Sequence, residues 1–240
     1  IRPFVGTDEF LYGKDRYILV LGDALPQDLG SLPLVKELIK KVAQYRKAQI
    51  VSKKGNRRLE RPSALKDCPT LFHITAIPTK PFLVIPEVTS ENRRYVPIGW
   101  LRPPSIPSNL VKYLEDATLD EFALLTSAMH MAWLRLVGGR LEGRMRYSIE
   151  VVYNTFPIPE NRNRAALSKA AQHVLGAREK AASDGCSLAD MYELMTMPQS
   201  LRRAHEALDR EIDRQYLGKV ADNDEERIVN LLNRYQHPSA

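Results

Sequence analysis

Short hydrophobic runs that end at glycine or proline fill the first two thirds of the chain. Four runs are rich in β-branched and apolar residues, which favours strands: Arg16–Gly22, Thr70–Ile77, Phe82–Val88 and Tyr95–Trp100. Apolar residues recur at helical spacing over Leu32–Ala48. The pattern predicts a mixed or antiparallel sheet with flanking helices.

The strongest helical pattern covers Leu119–Val137, where apolar residues fall on one broad face. Thr118 followed by Glu121 predicts a capping box at its start, and Gly138-Gly139 predicts its end. His130 lies on this helix with no second histidine at helical spacing. We therefore expect a core or interface histidine, and core packing for the methionines and tryptophan around it.

After Pro159 the chain becomes rich in alanine, leucine and charged residues with helical periods. Helices are predicted over Arg164–Ala182, Ser187–Leu194, Pro198–Tyr216 and Asp224–Tyr235. The prediction is an α+β fold with two domains: residues 1–158, and a small all-α domain over residues 159–240.

Length and composition exclude several classes of protein. The chain has 240 residues, of which 44% are hydrophobic, so it can bury a real core. No apolar run approaches the ~20 residues that span a bilayer, and the chain does not begin with a signal peptide. We expect a cytoplasmic protein, with further sequence before Ile1. Cys68 and Cys186 are expected to be buried small residues, with a disulfide as the open alternative.

Positive charge is concentrated in one segment. The formal net charge is +6, yet residues 36–61 alone hold ten Lys and Arg against two Glu. From Arg162 onward the two signs balance, twelve against twelve. Such a patch fits contact with a phosphate backbone, by Lys53, Lys54, Arg57 and Arg58 in particular. The alternative is a solvated helix face followed by a loop.

No catalytic constellation is present in the sequence. There is no glycine-rich phosphate loop, no dinucleotide fingerprint, no H-E-x-x-H and no G-x-S-x-G. The segment Asn154–Pro157 differs from the Asn-Pro-Pro-aromatic motif of amino-methyltransferases, because no proline directly follows the Asn. We therefore assign no catalytic, cofactor-binding or metal-binding residue.

The segment Glu142-Gly143-Arg144-Met145-Arg146 has the residue types that read DNA bases. Arginine donates two hydrogen bonds to the O6/N7 edge of guanine, and glutamate accepts from the amino group of cytosine. In an extended segment, alternation would put Glu142, Arg144 and Arg146 on one side. The alternative is a surface ion pair between Glu142 and Arg144.

Several multi-residue signatures resemble those of a known family, in the same order along the chain. They are Arg2–Gly6 with Glu9-Phe10 and Gly13, Ile85-Pro86, Ser90–Gly99, Ser127–Trp133, Gly139–Leu141, Arg146–Ser148, Val152–Pro157, Leu188–Tyr192, Met197-Pro198, Leu201, Ala204-His205 and Leu208-Asp209. The family is the MmeI-like class of fused DNA methyltransferase and restriction enzymes. The resemblance covers essentially the whole chain.

This resemblance implies a division of labour within a longer protein. Family members join a nuclease, an adenine-N6 methyltransferase, a target recognition domain and a helical C-terminal domain. This chain is similar to the last two, so S-adenosylmethionine would be bound by the methyltransferase domain of the same parent chain. The family places base reading after the Gly-Gly break, which implies this role for Glu142, Arg144 and Arg146, and also for Arg140.

The expected function is sequence-specific recognition of double-stranded DNA for an adenine methyltransferase or restriction-modification enzyme. Arg93 and Arg94, within the Ser90–Gly99 signature, are expected to contact phosphates, with a structural turn as the alternative. The alternative function is a docking module without base reading, in which the Met129–Trp133 face and the helical third bind the rest of an enzyme.

Overall fold

The computed structural model describes residues 1–51, 65–72 and 77–237 of the chain. The chain forms two compact units. The first unit comprises Ile1–Pro3 and Tyr17–Ile77, and the second comprises Phe4–Arg16 and Pro78–Ala240. Among the residues described, no helix has the length and apolar character needed to cross a bilayer.

Helices dominate the described part of the first unit. The start of strand β1 (Arg2–Val5) pairs with β2 (Tyr17–Ile18), and helices α2 (Pro26–Ser31) and α3 (Pro33–Val51) follow. Each helix begins with a proline, whose missing N–H costs nothing in a first turn. The predicted helix over 32–48 is confirmed. The strand predicted over 16–22 is correct only for residues 17 and 18.

One side chain of α3 holds the segment at residues 65–71. The Arg46 guanidinium donates to the carbonyls of Leu65, Cys68 and Leu71 at 2.8 to 3.0 Å. Cys68 itself is exposed, so the expectation that it is buried is wrong. The residues described within the predicted strand 70–77 form no strand, and residues 73–76 lie outside the description.

A three-stranded antiparallel sheet forms one layer of the second unit. Strand β3 (Phe82–Pro86) lies between β5 (Gly99–Leu101) and β7 (Val111–Glu115). All five residues of β3 are buried, because apolar side chains cover both faces. Leu83 and Ile85 join the main core, while Phe82 and Val84 pack with Val111 on the other face.

Shorter strands flank this sheet. The end of β1 pairs in parallel with β6 (Ile106–Pro107), and helix α1 (Thr7–Tyr12) follows β1 directly. Strand β4 (Val88–Thr89) lies two residues beyond β3. The run 95–100, predicted as a strand, enters a strand only at Gly99.

The predicted helix over 119–137 is interrupted. Helix α4 (Leu119–Leu125) ends at Thr126, and α5 (Ala128–Val137) begins after Ser127. The hydroxyl of Ser127 accepts from the His130 N–H at 3.1 Å, and therefore caps a new helix. The predicted Thr118 capping box is confirmed. A Cβ at Gly138 would lie 2.4 Å from the Leu134 carbonyl, which explains why glycine ends α5.

Between residues 159 and 237 the chain forms four helices: α6 (Arg164–Ser183), α7 (Leu188–Met191), α8 (Gln199–Leu217) and α9 (Asp224–Gln236). They match the predicted helices, although α7 is shorter. Their apolar residues share one hydrophobic cluster with the sheet and with α4 and α5. The division at residue 158 stays a prediction.

Candidate nucleic-acid interface

The segment predicted to read bases forms a β-hairpin. Strands β8 (Gly139–Leu141) and β9 (Arg144–Arg146) pair antiparallel, with Leu141 opposite Arg144. The two-residue turn is Glu142-Gly143, and Glu142 has a φ of +56°, which tight hairpin turns require at their first central residue. A π-helical turn, Ile149–Tyr153, follows the hairpin.

The hairpin separates the four candidate base-reading residues. Arg144 and Arg146 are exposed on one face of β9, and Met145 between them is buried. Arg140 lies opposite Met145, so register places it on the other face. Glu142 lies in the turn, so the alternation argument that aligned it with the arginines is wrong: the chain reverses there. It nevertheless reaches Arg144, with a Glu142 Oε2 to Arg144 Nη2 distance of 2.8 Å.

A groove of about 580 Å³ runs beside the hairpin and is called here the hairpin groove. The hairpin contributes Leu141, Arg144 and Arg146 to its lining, and α1 contributes Thr7, Asp8, Leu11 and Tyr12. The remaining lining residues come from two further segments of the second unit. They are Glu87, Val88, Thr89, Ser90, Arg93, Asn109 and Leu110.

Carboxylates in the groove are held by cations. Glu87 accepts from Lys112 at 3.1 Å and from both Nε and Nη2 of Arg146 at about 3 Å. Burial opposes ionisation of Glu87, but these hydrogen bonds keep its pKa below the usual range. Asp8 pairs with Lys14 at 3.0 Å. Each acid of the groove wall is therefore balanced by a cation.

Arg93 and Arg94, adjacent in sequence, lie in different environments. Arg94 is exposed and its guanidinium lies 3.3 Å from Glu206. Arg93 is only 6% exposed, lines the hairpin groove and has its Nη2 3.6 Å from Glu193 Oε2. Their phosphate contacts stay a prediction.

Lys53, Lys54, Arg57 and Arg58, the other candidate phosphate contacts, lie outside the described residues. The basic residues that precede them on α3 are exposed, apart from Arg46, which is partly buried. One of them, Lys41, forms an ion pair with Glu37 at 2.7 Å.

The Met129–Trp133 face is buried, with each side chain at most 1% exposed. Core packing is confirmed, and this face cannot serve as the docking surface of the alternative function. His130 is also buried, and its Nε2 lies 3.0 Å from the Tyr147 hydroxyl. Burial lowers its pKa to about 3. In the described part of the chain, no three His, Cys, Asp or Glu residues are grouped as metal ligands would be.

A buried polar network links the sheet region to the C-terminal helices. Asp209 of α8 accepts from the Tyr95 hydroxyl at 2.6 Å and from the Ala128 N–H at 2.8 Å. Burial raises the pKa of Asp209 to about 6. The ring of His205 stacks on Tyr95, and its Nε2 lies 2.7 Å from the Tyr192 hydroxyl. Sequence reasoning missed this network.

Sequence reasoning also missed part of the groove lining. Thr7, Ser90 and Asn109 come from three separate segments that only the tertiary fold brings together. Ser90 is the first residue of the Ser90–Gly99 signature, so the resemblance to the family could have indicated it. Asn109 follows a proline-rich connection, and no pattern in the sequence marks it.

Comparison with known proteins agrees with this architecture. The family model of the MmeI target recognition domain matches residues 1–160, and that of the MmeI C-terminal domain matches residues 158–240. DNA methyltransferase A of Bacillus subtilis (strain 168) is 38% identical over 237 residues. That alignment covers 98% of this chain and 26% of the relative.

A solved structure of the Type IIL restriction-modification enzyme MmeI in complex with DNA is also similar. It is 37% identical with a TM-score of 0.88, and the match covers 98% of this chain and 30% of that one. The chain thus spans between a quarter and a third of each relative, and the mixed α/β fold agrees with that structure. This chain belongs to the family of MmeI target recognition domains, continued by the MmeI C-terminal domain.

Proposed function

We propose that this chain reads the sequence of double-stranded DNA for a larger restriction-modification enzyme. The observation that carries the proposal is the pair of arginines that β9 presents side by side to solvent, at the edge of the hairpin groove. Membership of a family of target recognition domains supports it. A relative of similar fold is described in complex with DNA.

The hairpin supplies the chemistry of base reading. Arg144 and Arg146 can each donate two hydrogen bonds to the O6/N7 edge of a guanine, and Glu142 can accept from the amino group of a cytosine. In the free chain each arginine is held by a carboxylate, Arg144 by Glu142 and Arg146 by Glu87. The exposed pair of Glu142 and Arg144 contributes little free energy, so it orients the guanidinium group yet exchanges readily for a base edge. Glu87 is largely buried and also accepts from Lys112, so it would keep a cation if Arg146 turned to a base.

Affinity without specificity would come from phosphate contacts. Lys53, Lys54, Arg57, Arg58 and Arg94 are the candidates, because cations that neutralise phosphates release counterions. The methyltransferase domain of the parent chain would be the intramolecular partner. It would transfer a methyl group from S-adenosylmethionine to adenine N6, and none of the described residues is assigned to that step.

The test is a titration of this chain against duplex DNA at a series of salt concentrations. We expect binding at low salt, with an association constant that falls linearly with salt on logarithmic axes. Selection from a duplex pool with randomised positions should then enrich one short sequence. If no duplex is bound even at low salt, the proposal fails and a docking function is favoured.

A further inference from the structure

We propose that Arg93 is the anion receptor of the hairpin groove and that it binds a backbone phosphate of duplex DNA. This inference rests on the proposed function, which it extends from base reading at the groove's edge to phosphate binding at its wall. The sequence alone left open whether Arg93 contacts DNA or belongs to a structural turn. Three features of its surroundings favour the first role.

The first feature is a donor without a partner. Arg93 is 6% exposed, and among the described residues its Nε has no hydrogen-bond acceptor. Buried donors are nearly always paired, because desolvation without a hydrogen bond costs free energy. The fold therefore leaves this guanidinium incompletely paired, and an acceptor that enters the groove would reach the buried Nε after a shift of the Arg93 side chain.

The second feature is the contrast with another buried arginine. Arg178 is 7% exposed, and its Nε donates to the Tyr192 hydroxyl at 2.6 Å while its Nη1 donates to the Ile98 carbonyl. The Arg178 guanidinium also lies over the rings of Phe122 and Tyr192. The fold therefore supplies partners for Arg178, whereas in the described part of the chain the Nε of Arg93 has none.

The third feature is the positive charge of Arg93, which lies in the groove and is only partly neutralised by a carboxylate. Arg93 lines the hairpin groove, and its Nη2 lies 3.6 Å from Glu193, which is too long for a hydrogen bond. The side chain of Glu193 is about half exposed, so water weakens its attraction. Asp8 and Glu87, the acids of the groove, are held by Lys14, Lys112 and Arg146.

The ligand that fits is a phosphate of the DNA backbone. A guanidinium matches phosphate oxygens in geometry and charge, and it cannot lose its proton in a buried site. Arg144 and Arg146 line the same groove from β9 and are left to face base edges. A phosphate held by Arg93 would fix the register of the duplex against the hairpin.

The first experiment compares Arg93→Gln with Arg178→Gln in salt-dependent titrations of this chain with a mixed-sequence duplex. For Arg93→Gln we expect about 10-fold weaker binding and a salt slope reduced by about 1, with no loss of melting temperature. Arg178→Gln, the matched buried arginine, should lower the melting temperature and leave the slope unchanged. An unchanged slope for Arg93→Gln overturns the inference, although wild-type binding would still support the proposed function.

A second variant tests the same contact without removing the arginine. Glu193→Gln eliminates the only carboxylate recorded within ion-pair distance of Arg93 in the described residues. Because a competing negative charge is removed, affinity should rise about 2- to 5-fold at low salt. Unchanged or weaker binding would instead assign Arg93 to a structural pair with Glu193.

Neutral methylphosphonate linkages placed one at a time in the duplex separate a phosphate from a base edge. One linkage should weaken binding by the wild-type chain and have no effect on Arg93→Gln. If no single linkage behaves in this way and the loss in Arg93→Gln depends on base sequence, Arg93 contacts a base and the phosphate assignment is wrong. If the wild-type chain binds no duplex, both proposals fail.

Discussion

Two regions consist of charged and polar side chains with named partners, yet they differ in exposure: the hairpin side chains Glu142, Arg144 and Arg146, called here the β9 edge, and the buried network around Asp209. On the edge, the Glu142 and Arg144 side chains are 80% and 49% exposed. In the network, His205 and Asp209 are at most 5% exposed, and their partners come from distant segments. The first region can exchange its partners for a ligand, while the second cannot do so without unfolding.

This difference separates recognition from stability. Exposed ion pairs are worth ~0–1 kcal/mol, so the edge can change its residues, and hence its base preference, at little cost in folding free energy. Buried polar groups that lose one partner leave the other unpaired, which costs far more. The account therefore predicts that substitutions in the two regions have opposite signatures.

The largest expected effect is on the network side. Arg178→Ala should lower the free energy of unfolding by about 3–5 kcal/mol, because the Tyr192 hydroxyl and the Ile98 carbonyl lose a charged donor. Urea unfolding followed by circular dichroism measures this change. A loss below 1 kcal/mol would mean that the network does not hold the helices to the sheet.

The pH dependence of stability tests the buried histidines. Burial lowers the pKa of His130 to about 3 and that of His205 well below 6.5, so only the unfolded chain takes up these protons as the pH falls below 6.5. Each histidine should then remove about 1.4 kcal/mol of stability per pH unit over that range. Urea unfolding at several pH values measures the slope.

Asp209 acts in the opposite direction. Its pKa of about 6 lies above its ordinary value of 3.8, so the folded state holds a proton that the unfolded state lacks between those values. Its contribution to stability is present at low pH and is lost as the pH rises through 6. Asp209→Asn should therefore steepen the acid destabilisation between pH 6 and pH 4. An unchanged slope would contradict this linkage.

On the edge side, Arg144→Ala should change preference at one base pair by ~1–3 kcal/mol and leave stability within about 0.5 kcal/mol. Arg135→Ala is the matched control, because Arg135 also forms an exposed ion pair, with Asp224 at 2.8 Å, and does not line the hairpin groove. Arg135→Ala should leave the base preference unchanged in a DNA-binding assay and the free energy of unfolding unchanged in urea. Equal loss of affinity for every sequence in Arg144→Ala would exclude a base-reading role.

The smallest effect is expected for the basic segment. Lys53→Ala or Lys54→Ala should weaken binding to all sequences alike and reduce the salt slope by about 1 each, as expected for phosphate contacts. Titrations with two unrelated duplexes at several salt concentrations check this. If the loss of affinity depended on the DNA sequence, these lysines would contact bases rather than phosphates.

The sequence predicted elements better than it predicted their limits. Helical periodicity located α3, α6, α8 and α9, because a long amphipathic pattern survives small errors at either end. It did not show the break between α4 and α5, where Ser127 caps a new helix and Asp209 accepts from the Ala128 N–H. That partner lies far away in sequence, so no local pattern could reveal it.

The sequence likewise predicted only the part of the candidate site that depends on a local pattern. Arg144 and Arg146 share a strand face, which a period of two predicts. Glu142 was aligned with them wrongly because a two-residue turn with a positive φ at glutamate is not evident from the sequence. The burial of Arg93 and the groove it lines depend on α1 and the segment after α7, which only the tertiary fold brings near it.

The most direct test of the central claim is base preference, measured by selection from a randomised duplex pool, for the wild-type chain and Arg144→Ala at one salt concentration. The account predicts that the wild type enriches a short sequence and that the variant loses selectivity at one position while the others are kept. An identical enriched sequence for both proteins would contradict the claim that the β9 edge reads DNA.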